Sequence, residues 1–117
     1  MIELKEKVSK IYNVLEDKKA FDIKILYIGD LTTIADYFII ATGNSDTHVK
    51  ALTDEVEKKL WEEGIFVHHI EGYAAGKWVL MDYGDVIVHI FQQEERNFYN
   101  LERLWADAKE ILLDNLV

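Results

Sequence analysis

The sequence from residue 76 to residue 91 reads GKWVLMDYGDVIVHIF and carries the clearest local pattern in the chain. Two runs rich in β-branched and large apolar residues flank Tyr83-Gly84. This pattern predicts two antiparallel strands joined by a tight turn. Because successive side chains of a strand point to opposite faces, Trp78, Leu80 and Asp82 are predicted to share one face.

With Tyr83-Gly84 as the loop residues, the predicted pairs across the hairpin are Asp82 with Asp85, Leu80 with Ile87, and Trp78 with His89. Like charges directly opposite each other destabilise a strand pair by about 1 kcal/mol or less. One interpretation is that the two aspartates and Trp78 form a surface for a basic partner. The other is that the hairpin belongs to the core and the aspartates are solvated turn residues, because Asp is common in turns.

The composition is that of a globular protein. The chain has 117 residues, 50% of them apolar, which predicts a single domain over residues 1–117 with a hydrophobic core. It has no cysteine, which excludes disulfides and thiolate zinc sites. Charges near the N-terminus do not fit a signal peptide, and no apolar run approaches the roughly 18 residues of a membrane span. A soluble intracellular protein is predicted.

The charge balance is acidic. Thirteen Lys and Arg stand against 22 Asp and Glu, for a formal net charge of −9. Binding to a nucleic-acid backbone requires clustered cations, whereas the basic residues here are scattered among acids. The composition therefore predicts little direct contact with nucleic acid or membrane, and it favours a basic protein as partner.

Hydrophobic spacing predicts the elements of the N-terminal half. Residues 2–19 form an amphipathic helix. Strands are expected at residues 23–28, 36–42 and 65–70. The second of these is apolar enough to be a central strand covered on both faces. A further helix is capped by Ser45 and ends at Gly64. Its inward stripe consists of Val49, Leu52, Val56 and Leu60.

A last helical region is predicted to begin at Glu94-Glu95. Its inward side chains are expected to be Phe98, Leu101, either Leu104 or Trp105, and Ala108. Residues 108–117 form a short helix or tail beyond a core of residues 22–107. The order of elements predicts an α/β fold of the α+β type, with one mixed sheet of about five strands and helices packed on it. The order of the strands is left open.

The turn Gly43-Asn44-Ser45 lies between a predicted strand and a predicted helix. Nucleotidyltransferases place such a turn at a helix N-terminus to hold a phosphate, and they need paired carboxylates for magnesium. Asp46 follows the turn without a second carboxylate at position 48. Asp82 and Asp85 could supply that function only if the fold brought them to this turn. A metal-dependent nucleotidyltransferase-like enzyme or nucleotide-binding protein is the alternative, and a tight turn with a serine cap is the simpler interpretation.

The remaining polar residues do not form a catalytic or metal-binding pattern. The neighbouring His68 and His69 would point to opposite faces of a strand. No two histidines have the helical spacing of a zinc site. Neither Ser9 nor Ser45 has the glycine surroundings of a hydrolase nucleophile. We therefore predict no catalytic residues, no metal ligands and no cofactor.

Five ordered segments of the chain resemble the ribosomal silencing factor family, also called iojap-related. They are residues 35–45 (ADYFIIATGNS), 49–51 (VKA), 71–72 (EG), 78–89 (WVLMDYGDVIVH) and 98–105 (FYNLERLW). The resemblance runs almost without gaps from Asp22 to Asp107. Its most specific part is the hairpin from Trp78 to His89.

The resemblance implies a fold related to nucleotidyltransferases but without their catalytic carboxylates, and a function that is not enzymatic. Members of the family bind the large-subunit ribosomal protein L-fourteen on the face that the small subunit would occupy. They thereby block subunit joining and lower translation when nutrients are scarce, and organelle members are tied to large-subunit assembly. The short sequence favours a bacterial, cytoplasmic member.

The family's contact surface centres on the hairpin. By correspondence of positions, the resemblance implies that the contacts with L-fourteen are made by Trp78, Leu80, Asp82, Tyr83, Asp85, His89 and Glu95. An acidic chain suits a basic ribosomal protein, whose Arg or Lys side chains could pair with the carboxylates. The oligomeric state is left open, with a homodimer among the alternatives.

Overall fold

The computed structural model describes residues 2–116. Its elements, in chain order, are α1 (Leu4–Asp17), β1 (Phe21–Tyr27), β2 (Tyr37–Gly43), α2 (Asp46–Glu62), β3 (His69–Glu71), β4 (Trp78–Asp82), β5 (Val86–Gln92), α3 (Gln93–Tyr99), α4 (Leu101–Leu104), β6 (Lys109–Ile111) and a 3-10 turn (Leu113–Asn115). The strands form one mixed sheet in the order β3-β4-β5-β2-β1-β6. The predicted fold class is confirmed, with six strands within residues 2–116 where about five were expected.

The centre of the sheet is formed by β2 and β5, which run parallel from the pair Tyr37–Val86 to the pair Gly43–Gln92. The other strand pairs are antiparallel. Every residue of β2 is buried, because helices and side chains cover both faces of this strand. The central strand predicted at residues 36–42 is therefore confirmed to within one residue.

Two helices, α1 and α2, pack on one face of the sheet. The predicted apolar stripe of α2 is completely buried there, as are Val8, Ile11 and Leu15 of α1. At the start of α2, the Ser45 Oγ atom accepts a hydrogen bond from the His48 backbone N–H at 3.0 Å, which confirms the predicted cap. The α1 helix begins at Leu4 and ends at Asp17, two residues inside each predicted boundary.

The C-terminal region differs from the prediction at Asn100. This residue has φ 47° and ψ 58°, a left-handed conformation that Asn tolerates, and it separates α3 from α4. Phe98 and Leu104 are 80% and 75% exposed. The predicted inward orientation of Phe98 is wrong, and of the two alternatives Leu104 and Trp105 it is Trp105 that points inward. The predicted inward set is correct for Leu101, Trp105 and Ala108, which pack on the second face of the sheet.

Two predicted elements at the sheet edges are also wrong. Residues 109–111 are neither helix nor loose tail but an edge strand, β6, in which Ile111 pairs with Ile25 of β1. The strand predicted at 65–70 is reduced to His69–Glu71. The Ile65 N–H instead bonds to the Leu60 carbonyl at the end of α2, so the chain joins the sheet later than predicted. Val117 lies outside the described residues.

Candidate protein-docking face

The register of the β4–β5 hairpin differs from the predicted one. Asp82 pairs with Ile87, Leu80 with His89, and Trp78 with Phe91. The loop residues are Gly84-Asp85, enclosed by a hydrogen bond from the Tyr83 N–H to the Val86 carbonyl at 2.9 Å. Gly84 has φ 86°, which suits the first loop position of a tight hairpin turn. Because the register differs by two residues, each side chain keeps its predicted face although every predicted pair is wrong.

The two hairpin aspartates do not face each other, so the predicted like-charge pair is wrong. The Asp82 carboxylate accepts a hydrogen bond from the Gly84 N–H at 2.7 Å, within its own turn. Asp85 instead bonds to the Lys7 ammonium of α1, with 2.6 Å between Nζ and Oδ1. The same ammonium donates to the Tyr83 carbonyl at 3.1 Å. Asp85 therefore ties the tip of the hairpin to α1.

The face of β3, β4 and β5 opposite α1 and α2 is partly open to solvent. Across these strands, Leu80 lies between Glu71 and His89, and Asp82 lies between His69 and Ile87. Trp78, Leu80 and Ile87 are each partly exposed. We call Glu71, Trp78, Leu80, Asp82 and Ile87 the docking face. It is an apolar strip with carboxylates beside it.

Trp78 is held in place by three aromatic neighbours. Its ring centroid lies 4.9 Å from that of Phe91 and 4.8 Å from that of Tyr99. Its indole Nε1–H donates to His89 Nδ1 at 3.2 Å. Burial lowers the pKa of His89 to about 4, so the imidazole is neutral near pH 7 and can accept this hydrogen bond. The indole is thereby fixed in a half-exposed orientation.

The structure separates the predicted contact residues into groups. Trp78, Leu80 and Asp82 lie together on the docking face. Tyr83 is 3% exposed and His89 is 4% exposed, so both lie beneath the surface. Tyr83 packs in the core on the α1 side, where burial and then the charge of Glu57 raise the pKa of its hydroxyl.

Glu95, the last of the predicted contact residues, lies on α3 rather than on the hairpin and is half-buried. One oxygen of its carboxylate is buried without a hydrogen-bond partner among residues 2–116.

Tyr99 and Glu71 complete this surface although sequence reasoning did not place them there. Tyr99 is the last residue of α3, and its ring lies 4.8 Å from that of Trp78, a contact between elements that helical spacing does not indicate. Glu71 lies beside Leu80 through the pairing of β3 with β4. Strand alternation would have indicated Glu71, had the short strand β3 been predicted with its true boundaries.

The Gly43-Asn44-Ser45 turn begins at the C-terminal end of β2, at the opposite end of the β4–β5 pair from Asp82. Gly43 pairs with Gln92, five residues along β5 from the Ile87 partner of Asp82, a separation of about 17 Å. The fold therefore does not bring Asp82 to Asp46, whose carboxylate accepts a hydrogen bond from Gln92. Within residues 2–116, no three or more His, Cys, Asp or Glu side chains are grouped to hold a metal ion. No helix in this range is long and apolar enough to cross a bilayer.

Comparison with known proteins gives consistent matches. The family described as "Ribosomal silencing factor during starvation" matches residues 1–117. The ribosomal silencing factor of Bacillus subtilis is 46% identical over 99 residues, covering 85% of this chain and 84% of the relative. That of Halalkalibacterium halodurans is 43% identical over 105 residues, with 90% of each chain covered. A crystal structure of a Chromobacterium violaceum protein superposes with a TM-score of 0.88 at 40% identity, covering 90% of this chain and 88% of that one.

Proposed function

Because the chain belongs to the ribosomal silencing factor family, we propose that it binds ribosomal protein L-fourteen on the large subunit and blocks joining of the small subunit. The mechanism is steric: the bound protein occupies the space that the small subunit needs. It requires no catalysis, no metal and no cofactor. Translation is repressed in this way under nutrient limitation, and binding to the same protein during large-subunit assembly is a second use of the contact.

The observation that carries this proposal is the partly exposed Trp78, the largest apolar side chain of the docking face, at the N-terminal end of β4. Trp and Tyr are enriched at protein interfaces, where a large ring supplies much of the binding energy. Trp78 is held by Phe91, Tyr99 and His89, so little of its freedom remains to be lost on binding. Leu80 and Ile87 extend the apolar strip beside it.

The charges of the docking face support a basic partner such as a ribosomal protein. Asp82 and Glu71 carry carboxylates beside the apolar strip, and the whole chain has a formal charge of −9. Opposite charge on the partner would speed encounter, and Arg or Lys side chains could form charge-assisted hydrogen bonds at the edge. We propose that this takes place in the cytoplasm.

His89, Tyr83 and Asp85 of the predicted contact set have supporting roles in this proposal. His89 accepts the indole hydrogen bond and so orients Trp78. Asp85 and the Tyr83 carbonyl hold the hairpin tip against α1 through Lys7. Direct contact is proposed for Trp78, Leu80 and Asp82.

Binding of purified L-fourteen to Trp78→Ala tests the proposal. Truncation of an interface Trp that acts as an anchor costs about 2–4 kcal/mol, so we expect affinity to fall by at least tenfold. Trp61→Ala is the matched control, because Trp61 is 64% exposed on α2, across the sheet from the docking face. Circular dichroism of both variants checks that the fold is retained. Equal affinity of wild type and Trp78→Ala, or an equal loss in Trp61→Ala, would contradict the proposal.

A further inference from the structure

A buried guanidinium lies beneath the corner where α3 meets α4. The Arg96 side chain is 5% exposed. Its Nη1 atom donates to the Asp22 carbonyl at 2.6 Å and to the Thr42 Oγ1 atom at 2.7 Å. Its Nε and Nη2 atoms donate to the Glu102 carboxylate at 3.1 and 3.3 Å. One side chain of α3 therefore joins β1, β2 and α4.

The contact with β1 is made at a bulge. Phe21 pairs with Thr42 and Lys24 pairs with Ile40, so β1 has one residue more than β2 over this stretch. Asp22 lies within the bulge at φ 50°, a conformation that costs a non-glycine residue about 1 kcal/mol or more. The Asp22 carbonyl lies outside the regular ladder and accepts its hydrogen bond from Arg96. Bulges of this kind re-aim backbone and side-chain groups at functional positions.

The corner depends on tertiary contacts for its geometry. The α3 helix has seven residues and α4 has four, whereas isolated helices shorter than about 12 residues are marginal in water. The Arg96–Glu102 pair spans the left-handed break at Asn100 and so restrains the angle between the two helices. Burial opposes ionisation of Glu102, but hydrogen bonding and attraction from Arg96 and Lys24 hold its pKa below the usual range.

A buried ion pair of this kind adds little net stability compared with apolar packing, because both charges must be desolvated. Arginine offers a planar fork of donors that fixes orientation as well as distance. The corner that it fixes carries Tyr99, whose ring packs on Trp78 at 4.8 Å. Phe98 and Leu104 flank the same corner and are largely exposed.

We infer that Arg96 is a positioning residue for the docking face: it holds the α3–α4 corner so that Tyr99 supports Trp78 in its binding orientation. Arg96 itself does not touch the partner, because it is buried. The inference rests on the proposed function, since the partner is the same L-fourteen protein. It adds a residue outside the hairpin to the determinants of affinity.

The test compares L-fourteen binding by Arg96→Met, Tyr99→Ala and the double variant. We expect Arg96→Met to weaken binding roughly tenfold, of the order of losing one strong interface contact. The double variant should bind about as weakly as the weaker single variant, because both changes remove the same support. Lys10→Met is the matched control, since it breaks the Lys10–Glu63 ion pair, of 2.7 Å, between α1 and the end of α2.

Two further measurements separate positioning from general destabilisation. Arg96→Lys keeps the charge without the fork and is expected to bind weakly, like Arg96→Met. Glu102→Gln provides a second variant if Arg96→Met fails to fold. It removes the charge of Glu102 and leaves the Arg96 hydrogen bonds to Asp22 and Thr42 in place. Hydrogen exchange of each free variant should rise at residues 97–104 and at the Trp78 indole, while the amides of β2 stay protected.

Each outcome separates the two claims. If wild type does not bind L-fourteen, the proposed function is wrong. If wild type binds and folded Arg96→Met binds equally well, the positioning inference alone is wrong. Losses in Arg96→Met and Tyr99→Ala that simply add in the double variant would also overturn it.

Discussion

Asp85→Asn tests the contact between the hairpin tip and α1. The Lys7–Asp85 pair has a 2.6 Å contact, with 13% of the Lys7 and 39% of the Asp85 side chain exposed. Charged hydrogen bonds contribute about 1.5–3 kcal/mol when well buried, and exposed ion pairs about 0.2–1 kcal/mol. Because Asp85 is more than a third exposed, the range for exposed ion pairs applies. We therefore expect Asp85→Asn to lower the free energy of unfolding by about 1 kcal/mol. For a chain of this length, that corresponds to a Tm lower by roughly 3–6 °C.

Urea and thermal unfolding of Asp85→Asn, Lys7→Met and the double variant provide the assay. A coupling energy near 1 kcal/mol is expected, because the two side chains interact directly. Asp82→Asn is the matched control: an amide oxygen can still accept the 2.7 Å bond from Gly84, so its cost should be below about 0.5 kcal/mol. If Asp85→Asn is as stable as wild type or more stable, this reasoning is refuted. That result would instead fit Asp82 and Asp85 facing each other, because the substitution would then remove a repulsion.

Two other predictions concern His89 and the Gly43-Asn44-Ser45 turn. The unfolded chain protonates His89 near pH 6.5 but the folded one only near pH 4, so acid favours unfolding across this window. Relative to His89→Gln, wild type should lose up to about 3 kcal/mol of stability between pH 6.5 and 4 in urea melts, and parallel pH profiles would contradict this. For the Gly43-Asn44-Ser45 turn, calorimetry with the four common nucleoside triphosphates and magnesium should show no binding heat. Saturable, magnesium-dependent binding that is lost in Ser45→Ala would instead favour a nucleotide-binding function.

The parts of the fold that follow from local periodicity could be predicted from the sequence. Strand alternation assigned Trp78, Leu80 and Asp82 to one face, and helical spacing assigned the buried stripe of α2. The register of the hairpin could not be predicted, because it depends on whether Gly84 is the first or the second loop residue. Both placements satisfy the alternation of side chains, so the sequence pattern does not discriminate between them.

The remaining differences come from contacts between distant residues. Asp85 meets Lys7 across 78 positions of the chain, and Arg96 meets Asp22 across 74. Residues 109–111 form a strand because β1 offers an unpaired edge, which is a property of the assembled sheet. The family resemblance predicts contacts along the hairpin, and the fold shows which of those residues are exposed and which are buried.

Blocking of subunit joining can be measured by sedimenting purified ribosomal subunits under associating conditions, with and without the protein. We expect wild type to migrate with the large subunit and not the small one, and to lower the fraction of joined ribosomes as its concentration rises. Trp78→Ala at the same concentration should leave joining intact. Normal joining in the presence of saturating wild-type protein, or migration with the small subunit alone, would contradict the proposed function.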